Sequence, residues 1–187
     1  DHSAYAISKH FSEMEVWRAS AEGLNTVIVN PGLIIGSGNW KESSGTLFME
    51  FEKNDYTFSG GTSYVDVRDV AQISIELMEK NIFGERFILV SESAKYEEIG
   101  NSIRQKLGKS PMKLLPNVVL KVGFYLNLLF GWLFSPLKMA NKVNVQSVTE
   151  FNKISNKKIK EKLNYKFIPL EESLAFHLEN YKKDRSF

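Results

Sequence analysis

Glu22-Gly23-Leu24-Asn25-Thr26-Val27-Ile28-Val29-Asn30-Pro31-Gly32 is the stretch on which the fold turns. Thr26 to Val29 is a short β-branched apolar run, which suits a strand buried on both faces, as in a parallel sheet. Before it, Tyr5, Phe11, Met14 and Trp17 recur at three- and four-residue spacing and predict a helix from about Ser3 to Glu22. Gly23 is placed to end that helix as a C-cap glycine. Helix, tight Gly-Leu-Asn link and buried strand together form the αβ step of a doubly wound α/β fold. After the strand, Asn30-Pro31-Gly32 and Gly36-Ser37-Gly38-Asn39-Trp40 form a long loop. It lies at the carboxyl end of a strand, where open α/β sheets bind ligands.

Further along, Ser43 or Ser44 is placed to cap a short helix through Phe51, and Tyr64-Val65 reads as a short strand. Asp66-Val67-Arg68-Asp69 has the spacing of a capping box with Asp in place of Glu, opening a helix to about Lys80. Phe87 to Val90 reads as a second buried strand, Gly60-Gly61 as a turn, and Ser93 as the cap of a helix from about Lys95 to Leu107 stopped by Gly108. Val118 to Phe134, VVLKVGFYLNLLFGWLF, is nearly long enough to span a bilayer, but Lys121 and Asn127 interrupt it and Pro116 and Pro136 bracket it. A buried or interfacial helix is the preferred reading. Ser155 is placed to cap a short helix to about Leu163, and Glu171 to Tyr181 forms the last helix. No internal repeat or low-complexity linker is visible.

The 187 residues suffice for one domain with a real core, and 43% hydrophobic and 25% charged residues are ordinary for a globular chain. A net charge of +2 without a dominant basic stripe gives no case for nucleic acid. The densest basic run, Lys157, Lys158, Lys160 and Lys162, reads as a solvated helix face. With no cysteine there is neither a disulfide framework nor a thiolate metal site, which fits a reducing, cytoplasmic setting. No signal peptide is visible, and Asp1 stands where an initiator Met would, so a fragment, proteolytic product or trimmed chain is expected.

Tyr5-Ala6-Ile7-Ser8-Lys9 carries the chemistry. Positions i and i+4 share a helix face, so a phenol and an ammonium stand side by side. A free tyrosine, with a pKa of about 10, is a poor acid–base catalyst near neutrality, and a nearby cation favours the phenolate. Such a pair can move a proton to or from a substrate oxygen. Alone the pattern is weak, because helices offer many tyrosine–lysine pairs. The order of what surrounds it is more specific. Tyr5-x-x-Ser8-Lys9-x-x-x-Glu13, Val27-Ile28-Val29-Asn30-Pro31-Gly32, Gly36-Ser37-Gly38-Asn39-Trp40 and Tyr64-Val65-Asp66-Val67-Arg68-Asp69-Val70-Ala71 follow one another. Ser155-Asn156-Lys157-Lys158-Ile159, Leu163-Asn164-Tyr165 and Pro169-Leu170-Glu171-Glu172-Ser173-Leu174 close the chain.

In this order and spacing the chain resembles the extended short-chain dehydrogenase/reductases, the NAD-dependent epimerase/dehydratase-like family. The resemblance runs over essentially the whole length. It implies an α/β fold: the C-terminal part of a doubly wound Rossmann-type parallel sheet over residues 1–92, interleaved with a smaller, mostly helical substrate-binding region over 93–187. It implies an NAD(P)-dependent oxidoreductase acting on a small-molecule carbonyl or alcohol substrate. Tyr5 matches the catalytic acid/base, and Lys9 the residue that holds the nicotinamide ribose. Pro31, Gly32, Leu33 and Ile34 match the loop whose backbone lies against the nicotinamide end of NAD or NADP. Asn30 and Trp40 match positions bordering the substrate pocket. Asp66 and Asp69 are read as capping residues.

Two departures from the family pattern matter. The Gly-x-x-Gly-x-x-Gly loop, its acidic ribose partner and the active-site Ser/Thr, which precede the tyrosine in the family, are not in this sequence. Weak cofactor binding by the 187 residues is therefore expected, along with self-association through faces of the first helix and strand. Sugar-nucleotide epimerases of the family place an arginine two residues before the Tyr-Val pair to grip a diphosphate; here Thr62 stands there. The Asn39-Trp40-Lys41 loop and the apolar 118–134 segment look more like the dihydroflavonol reductase and 3β-hydroxysteroid dehydrogenase branch. A sugar-nucleotide epimerase or dehydratase and a non-catalytic scaffold are the alternatives. His2, His10 and His177 show no metal-ligand spacing and read as surface or packing histidines. Ser37 between glycines only superficially resembles a nucleophile elbow. Phe124, Tyr125, Phe130, Trp132 and Phe134 read as core or lid aromatics, with a lipid-facing patch as the lesser alternative.

Overall fold

The computed structural model describes residues 4–130 and 141–185. Its first half alternates helix and strand. Helix α1 spans Ala4–Ala21, strand β1 Val27–Pro31 and strand β2 Leu33–Ile35. A 3-10 turn at Ser43–Gly45 leads into α2, Thr46–Lys53, followed by β3, Tyr56–Thr57, β4, Gly61–Asp66, and α3, Val67–Glu79. The remainder is β5, Glu85–Leu89; β6, Glu92–Lys95; α4, Tyr96–Lys106; β7, Lys113–Leu114; α5, Asn117–Phe130; α6, Lys142–Thr149; α7, Lys157–Leu163; and α8, Leu170–Arg185. The last four residues of the apolar 118–134 run, with Trp132 and Phe134, lie outside the described residues, as does Ser3.

The two buried runs read from the sequence are neighbours: β1 and β5 pair in parallel, Val29 opposite Phe87. Beside them β2 pairs in parallel with β4, Ile34 opposite Val65. β4 shows why the fold is wound on both faces. Its successive residues Tyr64 and Val65 point to opposite sides, as strand geometry demands, and both are almost wholly buried. Tyr64 joins Phe48, Ile99, Ile103, Leu174 and Leu178 in a core against α2, α4 and α8. Val65 joins Ile73, Leu77, Phe87, Ile159 and Leu163 in a second core against α3 and α7. Helices therefore cover both faces, the α/β arrangement expected of the sequence.

Several local expectations change. Leu33–Ile35, read as part of a loop, is strand β2, and α2 starts from Gly45 with no side-chain cap where Ser43 or Ser44 was expected to supply one. Ser93 does not cap a helix: it lies in β6, which pairs antiparallel with β4, Ser63 opposite Ser93, with their hydroxyls 2.8 Å apart. The parallel sheet thus gains one antiparallel edge. Gly60-Gly61 is not a free turn, because Gly60 and Gly61 donate to the carbonyls of Val148 and Glu150, and a Cβ on either would collide with neighbouring backbone. Finally, α5 is not a buried helix: Val118, Val122, Tyr125, Leu128 and Leu129 are each more than half exposed. Among the described residues no helix is long and apolar enough to cross a membrane.

Candidate functional site

The periodicity of α1 places Tyr5 and Lys9 one turn apart, and the Lys9 Nζ lies 5.6 Å from the Tyr5 ring centroid. Tyr5 sits in the first turn and is 72% exposed, so the phenol is open to an incoming molecule. No residue of α1 is fully buried. The helix is instead tied down by Glu13, two turns from Tyr5. Its carboxylate accepts hydrogen bonds from Trp17 Nε1 at 3.3 Å, Asn30 Nδ2 at 3.2 Å and Arg86 Nη1 at 2.6 Å. Burial pushes the Glu13 pKa up, but the bonds from Arg86, Asn30 and Trp17 outweigh it and leave the pKa below the usual carboxylate range. Asn30, expected at a substrate pocket, thus has its amide engaged in orienting α1 on β1 and β5.

Pro31 to Ile34 is the crossing from one strand pair to the next. Pro31 ends β1 and is exposed, while Gly32, Leu33 and Ile34 are half-buried. Gly32 donates its N–H to the Leu89 carbonyl at 3.0 Å. A Cβ at Gly32 would collide with the Ser63 carbonyl oxygen, so the chain can step from β1 to β2 here only because no side chain intervenes.

The loop after β2 is fastened to α8 at three places. Asn180 Nδ2 donates to Ser37 Oγ at 2.9 Å, Ser37 Oγ lies 2.6 Å from His177 Nδ1, and Trp40 Nε1 donates to Asp184 Oδ2 at 2.7 Å. His177 is 2% exposed, and its Nε2 lies 3.2 Å from Asp66 Oδ2. Asp66 also accepts from the Arg68 backbone N–H, Nε and Nη2, and it caps α3. Burial raises its pKa, but the bonds from Arg68 and His177 hold it well below the usual carboxylate range. An ionised carboxylate only accepts, so the pattern puts the ring proton on Nε2. Nδ1 then accepts the Ser37 hydroxyl proton. The order hydroxyl–imidazole–carboxylate resembles an activated nucleophile. Here, though, the carboxylate is saturated by Arg68 and the chain runs between two elements, so it serves as a pin. Arg68 in turn stacks on Phe176, 4.0 Å from the ring centroid.

Trp40 packs edge-on against Phe48 and Tyr181, with centroids at 5.7 and 5.2 Å. It forms the wall of an open cleft of about 490 Å³ lined also by Met49, Glu52, Lys53, Lys109 and Tyr181. Tyr181 donates to Glu52 Oε2 at 2.7 Å across its floor. The structure therefore brings Tyr5 and Lys9 together, and joins Asn30 to α1. It places Trp40 in a cleft that Tyr5 and Lys9 do not line. The role of His177 was missed: reading it as a packing residue captured the burial but not the bridge. Its partners lie 140 and 111 positions away, and no local spacing signals them. Asp66 is a cap as expected. Asp69 does not complete a box; it accepts from Tyr165 Oη at 2.9 Å and from the Ile168 N–H at 3.1 Å.

No family model matches the chain. Among curated proteins it is similar to sterol demethylase protein B of Methylococcus capsulatus, at 30% identity over 98 residues, 51% of this chain and 30% of that protein. Among solved structures it shares the fold of gox2253, with a TM-score of 0.80 and 22% identity over 97% of this chain and 57% of that one. It shares the fold also of a nucleoside-diphosphate-sugar epimerase from Pseudomonas aeruginosa, with a TM-score of 0.75 and 16% identity over 100% of this chain and 57% of that one. A third is the dTDP-glucose 4,6-dehydratase of Bacillus anthracis in complex with NAD, with a TM-score of 0.71 and 13% identity over 100% of this chain and 54% of that one. The chain thus spans under a third of the curated relative and little more than half of each of these structures.

Proposed function

We propose that the protein is an NAD(P)-dependent oxidoreductase of the extended short-chain dehydrogenase/reductase type, acting on an apolar carbonyl or alcohol. The observation that carries this reading is the Lys9 ammonium beside an open Tyr5 phenol at the start of α1, in a fold shared with an NAD-bound dehydratase. These residues fit the nicotinamide end of a dinucleotide. An exposed phenol offers a proton to a substrate oxygen, and an adjacent ammonium has spare donors for ribose hydroxyls. When bound, the nicotinamide supplies or takes the hydride. Tyr5 can release its proton as a carbonyl becomes a carbinol and recover it in the reverse direction, with the Lys9 ammonium standing over its ring. Glu13, held by Asn30 and Arg86, fixes the helix that carries both. The similarity to sterol demethylase protein B supports an apolar substrate.

A sugar-nucleotide epimerase or dehydratase is the second reading, favoured by the names of the solved structures that share the fold. Thr62 weighs against it. So does the pairing of every arginine whose side chain is described: Arg18 with Glu15, Arg68 with Asp66, Arg86 with Glu13 and Arg104 with Asp55. A diphosphate clamp would have to break one of these pairs. Titration of the whole protein with NADH and NADPH, followed by nucleotide fluorescence, tests both readings; binding of neither sinks them. Tyr5→Phe is expected to retain nucleotide binding while turnover of a carbonyl substrate falls by about 10²–10⁴-fold.

A further inference from the structure

Helix α5 is apolar nearly all round, with only Asn117, Lys121 and Asn127 polar among its residues. At about 100° per residue, Leu128, Tyr125, Val118, Leu129, Val122, Leu126 and Val119 fall in that order around roughly half the circumference, with Lys121 near one edge of the arc between Leu128 and Tyr125. All seven are exposed, from 41% for Leu126 to 69% for Leu128. The opposite, half-buried side, which packs on α6, includes the polar Asn127. The apolar half therefore faces away from the protein. The stretch of chain that carries it has charge of one sign. Between Glu98 and Glu150 the sequence holds no acidic residue. Lys113 on β7, Lys121 on α5 and Lys142 at the start of α6 are exposed, and no ion pair engages them among the described residues.

From this we infer that α5 lies flat on an anionic lipid surface, its Val118–Leu129 face sunk among the acyl chains and Lys113, Lys121 and Lys142 against the headgroups. An apolar face alone would fit a second copy or any apolar partner. The acid-free lysines, engaged by no ion pair among the described residues, select a negative surface, and the 14 described residues of α5 are too few to cross it. A soluble polyanion would match the lysines but not seven exposed aliphatic and aromatic side chains.

The test is cosedimentation of the protein with vesicles of phosphatidylcholine alone or with one quarter phosphatidylglycerol. Pelleting with the anionic vesicles, weakened by salt, is expected. Val122→Asp is expected to weaken that binding by at least roughly tenfold, and Lys121→Glu by roughly fivefold or more on anionic vesicles only. Both side chains are exposed, so unchanged circular dichroism and melting temperature will certify the fold. Tyr125→Trp adds an emission that should shift to the blue and be quenched by brominated lipid when anionic vesicles are present. Failure to pellet with either vesicle overturns the inference. So does pelleting without quenching at position 125, or a vesicle-independent dimer that Val122→Asp dissolves while lipid binding is nil.

Discussion

Asp66 is a buried carboxylate on which several elements depend. It caps α3, pairs with Arg68 and receives His177, all while 1% exposed. Its folded pKa lies below the unfolded value, because the bonds it accepts outweigh burial. The stability it supplies is therefore fully present above the ordinary carboxylate pKa of about 4 and is lost as pH falls through the folded value. Asp66→Asn is expected to cost about 3 kcal/mol at pH 7, removing the negative charge and leaving Arg68 and His177 one accepting oxygen where they had two. The loss should shrink on acidification between pH 5 and 2, as chemical denaturation across pH would read. His177→Phe should leave the ring volume but take from Ser37 one of its two partners on α8. Hydrogen exchange at residues 36–42 then rises while the amides of β4 stay protected. Tyr64 is the opposite case. Its buried hydroxyl has no hydrogen-bond partner, so Tyr64→Phe is expected to keep or raise the melting temperature.

At the scale of elements, legibility followed burial. Thr26–Val29 and Phe87–Val90 announced strands because β-branched and aromatic runs are what a strand covered on both faces requires, and they proved to be partners. Glu92-Ser93-Ala94-Lys95 announced a helix cap at Ser93 and not a strand. Its residues have poor strand propensity, and only pairing with β4, joined by the Ser63–Ser93 bond, makes it extended. The Tyr5–Lys9 pair was legible because it is local to one helix. The Ser37–His177–Asp66 bridge was not, because its members meet only after α8 returns to the sheet. The same contrast sets two predictions. Leu77→Ala, in a core sealed from water, should cost about 3 kcal/mol, whereas Phe11→Ser on the open face of α1 should cost less than about 0.5 kcal/mol. Gly32→Ala should cost about 1–3 kcal/mol by forcing β1 and β2 away from Ser63, as thermal unfolding would show.

At the scale of the molecule, α1 bears more of the exposed apolar side chains remaining after α5 than any other described element. Tyr5, Phe11 and Met14 are each at least half exposed, and Ile7 nearly so. Association of these 187 residues through that helix is the expected consequence. The weight-average mass in sedimentation equilibrium should rise with concentration, and Phe11→Ser with Met14→Ser should flatten it. A constant monomer mass in the parent chain would count against association.

The fastening of the 36–42 loop to α8 has a consequence in time. Trp40 and Asp184 are 144 positions apart, and Ser37 and Asn180 are 143 apart. At synthesis rates of about 5–20 residues per second, roughly 7–29 s separate the emergence of the two ends of each contact. For that interval Trp40 has neither Tyr181 to stack on nor Asp184 to bond. On the ribosome, the wall of its cleft is among the last surfaces to take shape, and a nascent chain paused before α8 would carry an unfinished cleft beside a completed α1.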